Sequence, residues 1–224
     1  MLKTENTMVC GWEPAIRGMR NAKNSWDKSD SYWTHIENPE TMNTAPFQFF
    51  VGENDLDLMK KLAKAGSDHR KFMRMIVVYV DVTAPLYWWK EACTYRIGTT
   101  MNSCSTMHKL HDKPLTLDDF SCDLLWGNKD YRDVDEPIGI MNSVVDMIND
   151  LREDFVDTND KDFWYQMIQL LPSSYNQRRT WMLNYEVLHN IYHARKNHKL
   201  DEWHQFCDWI ETLPYSELIT GGEE

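Results

Sequence analysis

The chain has 224 residues and a formal net charge of −11, long enough for one domain (1–224) with a real core. An acidic balance without a Lys/Arg-rich stripe argues against duplex nucleic acid or an anionic membrane as a main partner. Five widely spaced cysteines with no CxxC pair exclude a disulfide framework and a thiolate zinc site, and no apolar run has signal-peptide or bilayer-spanning length, so a cytoplasmic protein is expected.

In chain order, residues Ala15 to Ala22 read as a helix, followed by a polar loop rich in Asn, Ser, Asp and Thr. Asn54 to Ala65 carries apolar residues at helical spacing, with Asn as a start signal and Gly66 as a stop. The period then changes. Met75 to Val82 (MIVVYVDV) is β-branched and nearly all apolar, which predicts a buried strand. Leu86 to Cys93 should be a helix entered through Pro85. The small, polar stretch Ile97 to Thr106 reads as a loop. Ile138 to Phe155 repeats apolar residues at 138, 141, 145, 148, 151 and 155, the stripe of an amphipathic helix. Phe163 to Ile210 reads as dominantly helical, with breaks at Pro172 and near Asn197. Strands in front and helices behind predict an α+β fold: an antiparallel or mixed sheet flanked by helices, with a long helical C-terminal part.

P-loop, GxGxxG, GxSxG and HExxH motifs are all missing, which removes the common nucleotide clamps and hydrolases. His189 and His193 stand four apart, a spacing that can hold a metal on a helix. No third ligand is evident, so core or solvent-facing histidines are the better reading and no metal is assigned. A more informative set is Glu91, Arg96, Asn102, Ser105, Asn184 and Arg195. Asn184 and Arg195 are eleven residues apart, about three helical turns, and would share a face with Leu188 and Ile191. Such a stripe could supply the apolar floor and polar edges of a planar heterocycle site. By itself the pattern is better explained by a buried helix with two satisfied polar residues.

The order of these residues resembles the flavin-dependent thymidylate synthases, a thymidylate synthase-complementing-protein-like fold. Their hallmark reads RHRxxSxNxxSxR, preceded by an APxxxxRQW helix. Here Ala84-Pro85 is followed by Lys90-Glu91 in place of Arg-Gln, and Thr94-Tyr95-Arg96 in place of Arg-His-Arg. Asn102 and Ser105 keep the Asn-x-x-Ser spacing after a one-residue insertion. Upstream, Gly66 and His69 are similar to the family's segment before its strand, and Ala15 to Ser25 to its first helix. Downstream, Leu171-Pro172, Trp181, Asn184, Asn190 and Arg195 keep the family's order, and His198 with Trp203 is similar to its His-x-Gln-Trp segment.

The resemblance implies methylation of dUMP, or a related pyrimidine deoxynucleotide, at C5. Methylene-tetrahydrofolate would give the carbon and NADPH would reduce FAD, within a homotetramer. It assigns His69, Tyr95, Arg96, Asn102, Asn184, Asn190 and His198 to the flavin, and Glu91, Ser105 and Arg195 to the nucleotide. Ser105 and Arg195 would be the catalytic pair. Four departures stand out: Thr94, Tyr95, Met107 and Ile168 occupy positions where the family has Arg, His, Arg and Arg. Each lost guanidinium removes a charge-assisted phosphate contact. Lys90, Lys109, Arg178 and Arg179, with the hydroxyls of Thr99, Thr100, Ser103 and Thr106, are the nearby replacements. Glu91 in place of Gln accepts hydrogen bonds but cannot donate them, which suits a cytosine amino group. The alternatives are a catalytically inactive homologue that binds, sequesters or senses a nucleotide, and a hydroxymethylating variant.

Overall fold

The structure, a computed structural model, describes residues 2–35, 47–130 and 132–221. A four-stranded antiparallel sheet, ordered β1-β4-β6-β5, is flanked by helices in an α+β arrangement. Its strands are β1 (Lys3–Cys10), β4 (Val77–Pro85), β5 (Thr100–Ser103) and β6 (Asn176–Asn184). A separate hairpin pairs β2 (Tyr32–His35) with β3 (Phe47–Phe50), placing Tyr32 opposite Phe50 and Trp33 opposite Phe49. The helices are α1 (Trp12–Asn21), α2 (Glu53–Lys64), α3 (Leu86–Ala92), α4 (Thr106–Lys109), α5 (Pro137–Thr158), α6 (Lys161–Leu170), α7 (Tyr185–Arg195), α8 (Asp201–Glu211) and α9 (Glu217–Thr220). Among the described residues no helix is long and apolar enough to cross a membrane.

The contacts divide the chain into two compact units, Met1–Glu5, Asp81–Tyr95 and Met101–Thr180 forming the first and the remainder the second. In the first unit α5 packs on α6, burying Ile138, Val145 and Ile148 of the apolar stripe read from the sequence together with Met167 of α6. In the second unit α7 packs on α8, on α9 and on a 3-10 turn at Arg70–Met75.

Several predicted elements hold and three are corrected. The helices at 15–22, 54–65, 86–93 and 138–155 are found as α1, α2, α3 and α5, displaced at their ends by a few residues. The predicted buried strand is β4, but it buries one face only. Val78, Val80, Val82 and Ala84 are fully buried, whereas Tyr79 is exposed. The 97–106 stretch contains the strand β5 and the start of α4 rather than loop alone. The largest correction lies in the helical last third, where β6 interrupts the helices. Its residues Gln177, Trp181 and Leu183 are buried at a period of two, which is the strand repeat. The polar strand β1 and the hairpin lie outside the sequence expectations: β1 buries little, and the aromatic-rich segments YWTH and FQFF are only four residues each.

One buried ion pair organises the second unit. Asp55 on α2 is fully buried and accepts from the Arg20 guanidinium of α1 and from the Ser29 and Ser31 hydroxyls, at 2.6 and 2.7 Å. Burial opposes its ionisation, yet the two hydroxyls and Arg20 outweigh that and hold the carboxyl below its usual range. Asp30 caps the same helix through the amides of Asn54 and Asp55. It lies so close that a Cβ on Gly52 would sit 2.2 Å from its carboxyl, which is why glycine is needed there. Removing one member strands the other charge in the core, so Asp55→Ala should lose about 3–5 kcal/mol. Urea unfolding at neutral pH measures this, and a loss under about 1 kcal/mol would show that the pair behaves like a surface bridge.

Candidate functional site

The sequence-predicted residues of the first unit lie where α3 ends and β5 and α4 begin. Glu91 and Tyr95 are half-buried, at the last turn of α3 and just beyond it. The Thr94 side chain folds back onto the Glu91 carbonyl at 2.7 Å, so the residue replacing a motif arginine serves to close the helix. Asn102 is exposed on β5. Ser105 is the N-cap of α4, its hydroxyl oxygen accepting from the His108 amide at 3.3 Å, which leaves the hydroxyl proton available to donate. The Cys93 thiol, 4.0 Å from the Met101 sulfur, ties the end of α3 to β5.

In the second unit the site residues are hung on α7. Asn184 is the last residue of β6 and the N-cap of the helix. Its Oδ1 accepts from the Val187 amide at 3.0 Å and its Nδ2 donates to the Gly98 carbonyl at 3.4 Å. Asn184 thus starts the helix and fastens the short loop that holds Arg96. Gly98 has φ of +74°, and a Cβ there would come within 2.9 Å of Asn184 Nδ2, so glycine is required both by conformation and by space. Asn190 is exposed on α7. Arg195 ends the helix with its guanidinium 4.8 Å above the Trp203 ring, and His198 meets the same ring edge-on at 6.3 Å. His69 is exposed at the entry to the 3-10 turn.

The proposed apolar floor is corrected. Leu188 and Ile191 are fully buried core residues, so the stripe between Asn184 and Arg195 faces inward and offers nothing to a ligand. The open residue is Asn190, about a third of a turn away from that stripe.

No protein-family model and no curated relative matches this sequence. Solved structures do. A flavin-dependent thymidylate synthase ThyX from Helicobacter pylori, complexed with FAD and dUMP, aligns with a TM-score of 0.66 at 15% identity, covering 97% of each chain. A UMP/dUMP methylase, PolB from Streptomyces cacaoi, bound with 5-Br dUMP, aligns with a TM-score of 0.61 at 14% identity, covering 99% of this chain and 95% of that one. This chain has the flavin-dependent thymidylate synthase fold.

Within that fold the second unit adds a cavity and an arginine partner for the His189 and His193 pair that the sequence does not signal. A cavity of about 510 Å³ is lined by Lys60, Lys61 and Lys64 of α2, Arg70, and His189 and His193 of α7. Arg70 donates to Glu186 at 2.8 Å and approaches His189 Nε2 at 3.2 Å. The His189 and His193 rings lie 4.3 Å apart, and among the described residues no group of three or more His, Cys, Asp or Glu is placed to hold a metal ion. His189 is instead pushed down to about 4 by burial, by Arg70 and by His193. The spacing of four is thus explained by a neutral imidazole packed against a cation.

Two outcomes follow for this thymidylate synthase-like fold. Asn184→Ala removes the cap and should cost about 1–2 kcal/mol. Asn184→Asp keeps the capping acceptor but loses the donor to Gly98, so it should retain most of that stability. Hydrogen exchange across residues 96–100 should rise in both variants, and unchanged exchange would show that the loop is held by something else. The His189 shift has a definite sign: its folded value is below its unfolded one, so folding disfavours the protonated ring. Stability should therefore fall as pH drops from about 6.5 towards about 4. In His189→Gln, melting temperatures should decline less over that window, and parallel curves would contradict the assignment.

Proposed function

We propose that this chain is a divergent member of the flavin-dependent thymidylate synthase family, acting on a pyrimidine nucleotide at C5. The one observation that carries this reading is the fold alignment over nearly the whole of both chains, joined to a collinear set of motif residues in this sequence. In support, the motif loop of Arg96 is fastened by Asn184, another residue of that same set.

The residues suit a flavin and a nucleotide in their chemistry. Asn102 and Asn190 present exposed amides that donate and accept, and Arg96 is an exposed guanidinium. When bound, the flavin would supply the redox chemistry, with a nicotinamide cofactor as reductant and methylene-tetrahydrofolate as carbon source. The protein's part is to bind and orient. Arg96, Asn102, Asn184, Asn190 and His198 would position the flavin, with Tyr95 and His69 beside it. Glu91, Ser105 and Arg195 would position the pyrimidine nucleotide, Ser105 donating its free hydroxyl proton. Arg195 is preset for this by Trp203, since stacking restricts its rotamers before any ligand arrives. A homo-oligomer is part of the same proposal.

A second reading has its own observation. Thr94 is spent on closing α3, so at that position no phosphate contact is made. A homologue that binds or senses a nucleotide without catalysis is consistent with that loss. The two readings separate on flavin. The purified protein should retain or take up FAD, seen as bound flavin absorbance and quenched flavin fluorescence. Failure to bind FAD at any concentration tested would leave the binder. Arg195→Ala should weaken the nucleotide by about 10- to 100-fold, the equivalent of one charge-assisted hydrogen bond, while FAD uptake persists.

A further inference from the structure

The cavity of the second unit is separate from the residues assigned to the flavin and the nucleotide. Its walls come from α2, the 3-10 turn at Arg70–Met75, α7 and α9. His69, Asn184, Asn190, Arg195 and His198, all described, do not line it. On α7 it takes His189 and His193, and Asn190 points about 100° away from His189 around the helix. Four cations line the cavity, Lys60, Lys61, Lys64 and Arg70, against two carboxylates, Asp57 and Glu217. In a chain whose formal net charge is −11, this is a local reversal of sign.

Helical spacing gathers the lysines. Lys60, Lys61 and Lys64 follow Asp57 by three, four and seven residues, so all four share one face of α2. Among the described residues Lys61 and Lys64 form no ion pair, whereas Lys60 meets Glu217 of α9 at 3.1 Å. Arg70 is half-buried: Nε donates to the buried Glu186 at 2.8 Å and Nη1 lies 3.2 Å from His189 Nε2. Its Nη2 makes no hydrogen bond among the described residues, so the guanidinium keeps donors for a further partner. A guanidinium can only donate, so the His189 ring accepts and stays neutral. Buried Ala63 and Leu218 form the apolar part of the wall, and such surfaces strengthen charge interactions beside them. The Glu217 carboxylate already occupies one of these cations, as a ligand's anionic group would.

We propose that this cavity binds a compact polyanion of the di- or triphosphate class, held by Lys61, Lys64 and Arg70, with Lys60 released to it from Glu217. The ligand class follows from the charges. Cations on two separate elements surround one space of about 510 Å³, and a single carboxylate or halide would meet only some of them. A chain of phosphates offers charge along its length, with oxygens for the point charges of lysine and for the fork of arginine. The site does not depend on the function proposed above, because none of its residues belongs to the flavin or nucleotide set.

The test is calorimetry of the full-length chain with inorganic tripolyphosphate, without FAD and again with FAD supplied. Near-UV circular dichroism confirms that each variant is folded. Replacing both exposed lysines, Lys61→Gln with Lys64→Gln, should weaken binding about 10- to 100-fold. Glu217→Gln frees Lys60 and removes a repelling charge, so it should tighten binding about 2- to 5-fold. A Glu217 that serves only to pin α9 would give no such gain, and an affinity equal to or below the wild type contradicts the proposal. Arg195→Ala and added FAD should leave the affinity unchanged. Competition by FAD, or a matching loss in Arg195→Ala, would put the ligand in the flavin or nucleotide site and overturn the inference. So would binding that ignores the two lysine changes, or no binding up to about 1 mM tripolyphosphate.

Discussion

A helix can present polar residues to a ligand only if its rotational phase is fixed, and at α7 that phase is set by one side chain. Asn184 donates to the loop at Gly98 and accepts from the first turn of the helix, so one amide determines where β6 stops and where α7 begins. Asn190, Arg195 and the histidines at 189 and 193 then take their directions from a single starting point. A carboxylate could cap the helix but could not also donate to the loop carbonyl. A serine would be too short to do both. The requirement for Asn is therefore local and chemical, and the glycine at 98 is its complement, since any Cβ would crowd the amide.

How much of this was legible in the sequence depends on how much each element buries. The stripe Ile138, Met141, Val145, Ile148 and Leu151 announced α5, because those side chains form the core of their unit. The run Met75 to Val82 announced a strand, although full burial falls only on its even-numbered Ile76, Val78, Val80 and Val82. β1 left little trace, since most of its residues face solvent, and the aromatic-rich strands of the hairpin are only four residues each. β6 did carry its signal, in the period-two burial of Gln177, Trp181 and Leu183. It was masked by polar residues between them and by the helical sequence on either side.

The same misreading left two candidate cations undistinguished. When residues 173–195 are taken as one helix, Arg178 and Arg179 are simply adjacent replacements for the missing guanidiniums. On a strand they point to opposite sides. Arg178 meets Asp81 and Glu5, whereas Arg179 meets an indole, an amide and two sulfurs. One residue of register thus separates a cation paired with carboxylates from one stacked on an indole. No motif could have conveyed this, because it depends on which strand lies beside β6 and not on spacing along the chain.

The likeness in fold and the departures in sequence are compatible once charge is treated as transferable and hydrogen-bond geometry as less so. A phosphate is recognised by net positive charge and a fork of donors, which different elements can provide. The amide at 184 is a different case, because its two bonds join fixed backbone groups and no other side chain could replace it in place. It is thus consistent that guanidiniums are missing at 94, 107 and 168 while Asn184, Asn190, Asn102 and Ser105 keep their positions in the motif.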